Sequence, residues 1–434
     1  MKLHLKGGRL IDPATRTDRV QDVFVADGRI VALDAAPADF TAERTVDVTG
    51  SIVMPGLVDL AARRVMPGLV DLAARRVTAA SEAAAALAGG VTRVVCPPDT
   101  DPVLDEPDLV EMLRLRAGAT HPAQVHPLGA LTVGLAGNEL TEMAQLAQAG
   151  CIGLSQANAP TPDTRTLLRA LQYAGTFGLS VWLRPQDAAL AAGGVAASGA
   201  VASRLGLAGI PVAAETIALH TILELVRVTG TRVHLCRLSS GAGVALVRAA
   251  KAEGLPVTCD VAAHHLHLTD MDIGYFDAQY RFDPPLRGGR DRDTIRDAAR
   301  DGTIDAICSD HTPLAADARL VPFAEAAPGA SGLELLLSLV LKWAEEARVP
   351  LVDALARVTH APGQRLEAAA PGAGRLAAGL TADVCVFAPS SYWTVSAAQL
   401  RSAGHNTPFL GYELPGSVRF TLVGGHVAYD ALAV

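Results

Sequence analysis

Six short apolar runs, each separated from the next by an Ala/Leu-rich stretch, set the strongest limit on what this chain can fold into. They read "GVTRVVCPP", "GCIGLSQ", "LSVWLRP", "TRVHLCRLSS", "PVTCDVAAHH" and "IDAICSDHTP". A strand with one wet face alternates apolar and polar residues, whereas a parallel strand covered by helices on both faces is apolar throughout. Runs of the second kind, repeated with helical stretches between them, predict an α/β fold with a (β/α)8 TIM-type barrel. In such a barrel the polar residues just after each strand gather at one face, where chemistry is done. That rule selects Asp99, Ser155, Gln156, Arg237, His264, His265, Asp310 and His311.

The two ends of the chain have a different pattern. "LKGGRLIDPATRTDRVQDVFVADGRIVALD" near the start, and "GRLAAGLTADVCVFAP" and "GSVRFTLVGGHVAYD" near the end, are short segments split by Gly, Asp and Pro, as in β-hairpins. Residues 1–52 and 374–434 are therefore expected to form one small β-sandwich domain, and residues 53–373 the barrel. A chain of 434 residues accommodates one large unit and one small one.

A net charge of -8 argues against nucleic-acid and anionic-membrane partners, which would require a basic face. No apolar run approaches the roughly 20 residues that span a bilayer, and the start lacks the apolar core of a signal peptide. A soluble cytoplasmic protein is the expectation. The six cysteines stand singly in apolar stretches, the pattern of small buried hydrophobic residues rather than of disulfides or metal thiolates.

Residues 53–76 read "VMPGLVDLAARRVMPGLVDLAARR", twelve residues given twice. A tandem pair this short is no solenoid, which needs several longer copies. The two copies compete for one strand, and loop length favours the first, since the second would leave too few residues before "AGGVTRVV". Leu69, Val70 and Leu72 would then fall in the following loop.

The segments "AAHHLHLTD", "FDPPLRGGRDR", "GTIDAICSDHTPL", "GASGLELLLSLVL" and "NTPFLGYELPGSV", together with "MPGLVDL" and "GGVTRVVCPPDTDPV", occur in one order over nearly the whole chain. They closely resemble the dihydroorotase branch of the cyclic amidohydrolases, which also includes allantoinases and hydantoinases. That resemblance implies hydrolysis or closure of a cyclic amide. In that chemistry zinc polarises a carbonyl and lowers the pKa of a bound water, and an Asp moves the proton.

The ligand positions implied by the resemblance are mostly lost. Where the family has His-x-His after "GLVDL", this chain has Ala61 and Arg63 in one copy and Ala73 and Arg75 in the other. Ser155 stands at the place of a carboxylated lysine or an acid, and Arg237 at the place of a histidine. Alanine has no donor atom and guanidinium no free lone pair. Only His264 and Asp310 remain, and two ligands do not make a zinc site. Asp99 and Asp283 replace substrate-binding asparagines, and Arg64 or Arg76 lies one position from the family's carboxylate-clamping arginine.

A carboxylate left without its metal would be costly to bury unless another cation replaced it. Arg237 and one first-strand arginine are therefore expected to fill the former metal cavity and pair with Asp310. These losses resemble an inactive dihydroorotase-like branch that holds the catalytic chain of aspartate carbamoyltransferase in a hetero-oligomer of pyrimidine biosynthesis. A non-catalytic stabilising subunit without cofactor, in homo- and hetero-oligomers, is the first expectation. An active cyclic amidohydrolase with a reduced zinc site, using His264 and Asp310 helped by His265, His267 or His311, is the alternative. A metal-free small-molecule binder or sensor using the vacated barrel mouth, where the arginines would suit an anionic ligand, is a third.

Overall fold

A computed structural model describes residues 1–63, 79–120 and 123–432. Eight parallel strand positions follow one another around a barrel. They are Leu57–Asp59, Val91–Cys96, Gln124–Pro127 continuing into Gly129–Ala130, Leu154–Ser155, Val181–Leu183, Val233–Leu235, Val257–Ala262 and Ala306–Cys308. Each pairs in parallel with its neighbour. A parallel bridge between Ala62 and His311 joins the first position to the last. All six apolar runs supply barrel strands, as their lack of alternation requires.

The helices between strands are amphipathic and capped. In Thr164–Thr176 the residues Leu167, Ala170, Leu171 and Ala174 recur at helical spacing and are fully buried, while the Asp163 carboxylate accepts from the amides of Arg165 and Thr166. Val212–Thr229 buries Leu219, Ile222 and Val226 and stops at Gly230, whose positive φ ends the helix.

Strands from both chain ends share one sheet. In spatial order it runs His426–Asp430, Glu413–Val423, Val384–Thr394, Ile52–Pro55, Arg9–Asp12, Thr17–Val20. A second sheet, ordered Arg29–Leu33, Val23–Ala26, Leu3–Lys6, Arg44–Asp47, contributes to a common apolar layer with the first. That layer contains Leu3, Leu5, Val23 and Ile30 from one sheet and Leu10, Val53, Val384 and Phe420 from the other. Ile52–Pro55 belongs to this terminal sheet, so the chain enters the barrel only at Leu57, slightly beyond the boundary expected at residue 53.

The first copy of the repeat makes that passage. A Cβ at Gly56 would lie 2.2 Å from the Thr92 side chain of the adjacent strand, so only glycine fits where the chain turns from sheet to barrel. Val53–Leu60 supplies the strand segments, in the register that loop length favoured. The second copy, with Leu69, Val70, Leu72, Ala73 and Arg75, lies outside the described residues, as do Arg64 and Arg76. No helix among the described residues is long and apolar enough to cross a membrane.

Candidate functional site at the barrel mouth

The carboxylate of Asp310, at the C-terminal end of the last barrel strand, is buried and faces two guanidinium groups. Arg237 Nη1 donates to Asp310 Oδ1 at 3.0 Å, and Arg63 Nε lies 3.9 Å from the same oxygen. The ion pair expected from the sequence is thus present, with Arg63 as the first-strand arginine. Asn158 ties the two cations together, since its Oδ1 accepts from Arg63 Nη2 at 2.9 Å and also from Arg237 Nη2. Arg63 Nη1 donates to Asp99, so the aspartate that stands for a family asparagine neutralises an arginine. Burial pushes the Asp310 carboxyl above its ordinary range, and Arg237 and Arg63 oppose that without cancelling it.

Local structure fixes both partners. Arg237 and Asp310 each adopt the left-handed backbone region, with φ of 56° and 47°. Such conformations persist only where surroundings over-determine them. The Arg237 amide donates to Asp260 Oδ1 at 2.6 Å. Two residues on, buried Glu215 accepts from the amides of Ser239 and Ser240 at 2.8 and 3.1 Å and from both hydroxyls. On the other strand, buried Asp59 accepts from the Ser309 amide at 2.8 Å and from its hydroxyl.

His311 is structural. Its Nδ1 accepts from the Gly332 amide at 3.1 Å, which leaves Nε2 to donate to Glu82 at 2.7 Å. Glu82 accepts also from the Ser402 hydroxyl at 2.8 Å and the Ala403 amide at 3.1 Å, joining the barrel to the C-terminal segment. Burial pushes the Glu82 carboxyl up, but His311 and Ser402 more than reverse this and hold it below its ordinary range.

The other predicted positions separate. Ser155 Oγ accepts from the Ala157 amide at 3.0 Å, and Gln156 bonds to Thr132 Oγ1 and the Leu135 carbonyl, so both shape their loop. His265 Nε2 faces the Pro285 carbonyl at 3.4 Å, and His267 Nε2 the Leu339 carbonyl at 2.9 Å. His264 and Asp310, the two remnant ligand positions, belong to no group of three or more metal-ligating side chains among the described residues, and the alternative reading of a reduced site on them gains no third ligand. The His264 ring stacks on Phe282 at 4.0 Å and tilts against His265, and burial, His265 and Arg237 keep it neutral. An aromatic neighbour, invisible in the "AHHL" motif, holds it.

Two members of the network were not singled out from the sequence. Arg184, directly after Val181–Leu183, donates to Asp283, and both side chains are largely buried. Its position after the "LSVWL" run satisfies the same rule that selected Arg237. Asn158 lies three residues past its strand, where that rule gives no signal.

This donor set does not fit a catalytic zinc at the mouth. Ala61 offers no atom, and a cation approaching Asp310 meets the fixed charges of Arg63 and Arg237. At an effective dielectric near 20, a divalent ion about 4 Å from one guanidinium would be opposed by roughly 8 kcal/mol. A different group, His234, Cys236 and Asp260, has ligand atoms within 4.8 Å of one another. It was not foreseen, because the cysteines read as inert. Its donor types suit zinc, yet both His234 nitrogens are engaged, to Thr258 Oγ1 at 2.8 Å and Asp260 Oδ2 at 2.9 Å. Burial also pushes the Cys236 thiol up, disfavouring the thiolate that would bind metal.

Comparison with known proteins decides the kinship. Residues 50–242 match the family described as dihydro-orotase-like. A dihydroorotase-like protein from Pseudomonas aeruginosa is 44% identical, covering 99% of this chain and 100% of that protein. The chain belongs to the dihydroorotase-like family. A dihydroorotase from Anaeromyxobacter dehalogenans is 39% identical over 99% of this chain and 98% of its own length. Among solved structures, the L-hydantoinase (dihydropyrimidinase) from Arthrobacter aurescens superposes with a TM-score of 0.87 at 25% identity, covering 99% of this chain and 96% of that one. The barrel and its sandwich domain are therefore those of the cyclic amidohydrolases. Within this dihydroorotase-like chain, the mouth that faces solvent chemistry in such barrels is built from ion pairs.

Proposed function

We propose that this dihydroorotase-like chain is a non-catalytic subunit that stabilises the catalytic chain of aspartate carbamoyltransferase in a hetero-oligomer of pyrimidine biosynthesis. The observation that carries the non-catalytic part is the pairing of Arg237 and Arg63 with Asp310, which sets two fixed cations against the remnant acid. The choice of partner rests on the resemblance of the lost ligand positions to the inactive branch. A scaffold of this kind needs no active site, because a subunit that binds only the folded, assembled partner stabilises it by mass action. Co-expression with an aspartate carbamoyltransferase catalytic chain, followed by size-exclusion chromatography, tests the partnership, and two separately eluting proteins would refute it. Purified chain assayed for zinc and for dihydroorotate turnover tests the lack of catalysis. Stoichiometric metal together with turnover would refute that part.

The His234, Cys236 and Asp260 group favours a second reading, a cyclic amidohydrolase with a reduced metal site. That reading requires Cys236→Ser and Asp260→Asn to abolish both zinc content and turnover. On the first reading neither variant changes either quantity.

A further inference from the structure

Beside the paired arginines of the mouth lie two that have no carboxylate within ion-pair distance among the described residues. Arg281 follows the short helix Ala278–Tyr280, and Arg319 ends the short helix Ala316–Arg319. Gly329 joins them, since its amide donates to the Arg281 carbonyl at 2.9 Å and its carbonyl accepts from Arg319 Nη2. Arg319 is 8% exposed, yet among the described residues its Nε and Nη1 have no hydrogen-bond partner, and neither does the buried Nε of Arg281. Arg281 Nη1 donates to the Phe282 carbonyl at 3.1 Å.

The nearby carboxylates compensate the two cations only in part: Asp283 offsets Arg281 and Asp277 offsets Arg319, but neither forms an ion pair with its arginine, and the buried Asp283 Oδ1 has no hydrogen-bond partner among the described residues. Asp283 Oδ2 accepts from Arg184, and Asp277 Oδ1 accepts from the Gln279 amide at 2.9 Å. Burial, and then the like charge of Arg281, lower the Arg319 pKa to about 10. Two cations that repel each other, with three buried nitrogens unsatisfied, carry a cost that an added anion, or the loss of one cation, would relieve. A guanidinium edge presents two parallel N–H groups that match the two oxygens of a carboxylate or phosphate.

We propose that Arg281 and Arg319 form a binding site for a small oxyanion, a phosphate or a carboxylate, at the edge of the barrel mouth. The site is distinct from the Asp310 network and does not depend on whether the chain is catalytic. Its ligand is held by charge-assisted hydrogen bonds from both arginines, and it completes the neutralisation that Asp283 and Asp277 only begin.

Thermal unfolding of the full chain in an anion-poor buffer, titrated with inorganic phosphate, with malonate and with chloride at matched ionic strength, tests the proposal. A saturable rise in Tm of several degrees with phosphate or malonate, absent with chloride, is the expected result. Which of the two acts at lower concentration identifies the oxyanion. Arg281→Gln and Arg319→Gln should each abolish the rise, and Arg319→Gln should be no less stable than the parent without anion, because it removes the repulsion. Arg292→Gln, at an exposed ion pair with Asp293, should keep the full response. Should Arg319→Gln fail to fold, equilibrium dialysis of labelled phosphate against the parent and Arg281→Gln decides the matter. No saturable response in the parent, or an undiminished one in Arg281→Gln, would overturn the proposal.

Discussion

Replacing Arg237 by methionine should destabilise the protein in proportion to how hard it is to neutralise Asp310. The two side chains meet at 3.0 Å and are 4% and 5% exposed, so the deletion leaves a carboxylate in a nearly dry site. Breaking a buried pair from one side typically costs about 3–5 kcal/mol. Arg63 Nε, at 3.9 Å and already engaged with Asp99 and Asn158, compensates only in part. Asp310 has an escape, which is to take up a proton. Its folded pKa is already raised from 3.8, and a raised carboxylate contributes stability that is full below the unfolded value and is lost as pH climbs toward the folded one. Forcing the proton on costs about 1.4 kcal/mol for each pH unit above the unfolded pKa, hence roughly 4 kcal/mol at pH 7 and under about 2 kcal/mol at pH 5. Urea unfolding at pH 5 and pH 7.5 should therefore show a loss of about 1–2 kcal/mol at the lower pH and about 3–4 kcal/mol at the higher. Equal losses at both, or less than about 1 kcal/mol at pH 7.5, would refute the reasoning. The double variant with Asp310→Leu should recover most of the loss, because an apolar pair replaces an ion pair at little net cost.

Other expectations follow from the same geometry. Asn158→Ala removes the amide oxygen shared by both guanidiniums and should cost about 1–3 kcal/mol in urea unfolding. Glu82→Ala should cost about 3 kcal/mol near neutral pH, where it strips the partner from His311. Because the Glu82 pKa is lowered, its contribution is present above its ordinary value of 4.5 and fades as pH falls below it, so the variant should approach the parent in acid. Glu334 is opposite in sign, with burial raising its carboxyl to about 7 against the amides of Arg401 and Ser402. Its penalty grows between pH 4.5 and about 7 to at most ~3 kcal/mol, so Glu334→Gln should flatten the fall in Tm over that window and be neutral or stabilising at pH 8. A variant whose profile matched the parent's would contradict this.

How far the sequence could be read depended on whether the controlling contact was local. The barrel was legible because a strand buried on both faces is mostly apolar without alternation, as in Val91–Cys96 and Val257–Ala262, where Val94, Val95 and Cys96 and then Val261 and Ala262 run consecutively. Arg237 and Asp310 were legible because they follow such strands directly, and their opposite charges made one another necessary. Arg184 obeyed the same rule and was passed over. Asn158 was not legible, because its role comes from a loop conformation rather than from strand phase. The same holds for the Glu82–His311 pair, which spans 229 residues. For His264 the motif shows a donor and hides Phe282, on whose ring the imidazole stacks.

The shared amide of Asn158 has a consequence for how this chain can change. Arg63 and Arg237 lean on one oxygen and one carboxylate, so neither can be exchanged for histidine without stranding charge on the rest. Restoring one metal-binding side chain would leave the other guanidinium aimed at the same spot, with Asp99 or Asp310 short of a partner. Each such step draws a few kcal/mol from a protein whose whole margin is about 5–15 kcal/mol, and only the last step could return anything. The network thus stands as a stability barrier between this chain and a metal site, and any stepwise path across it, in either direction, passes through the same intermediates with a stranded charge.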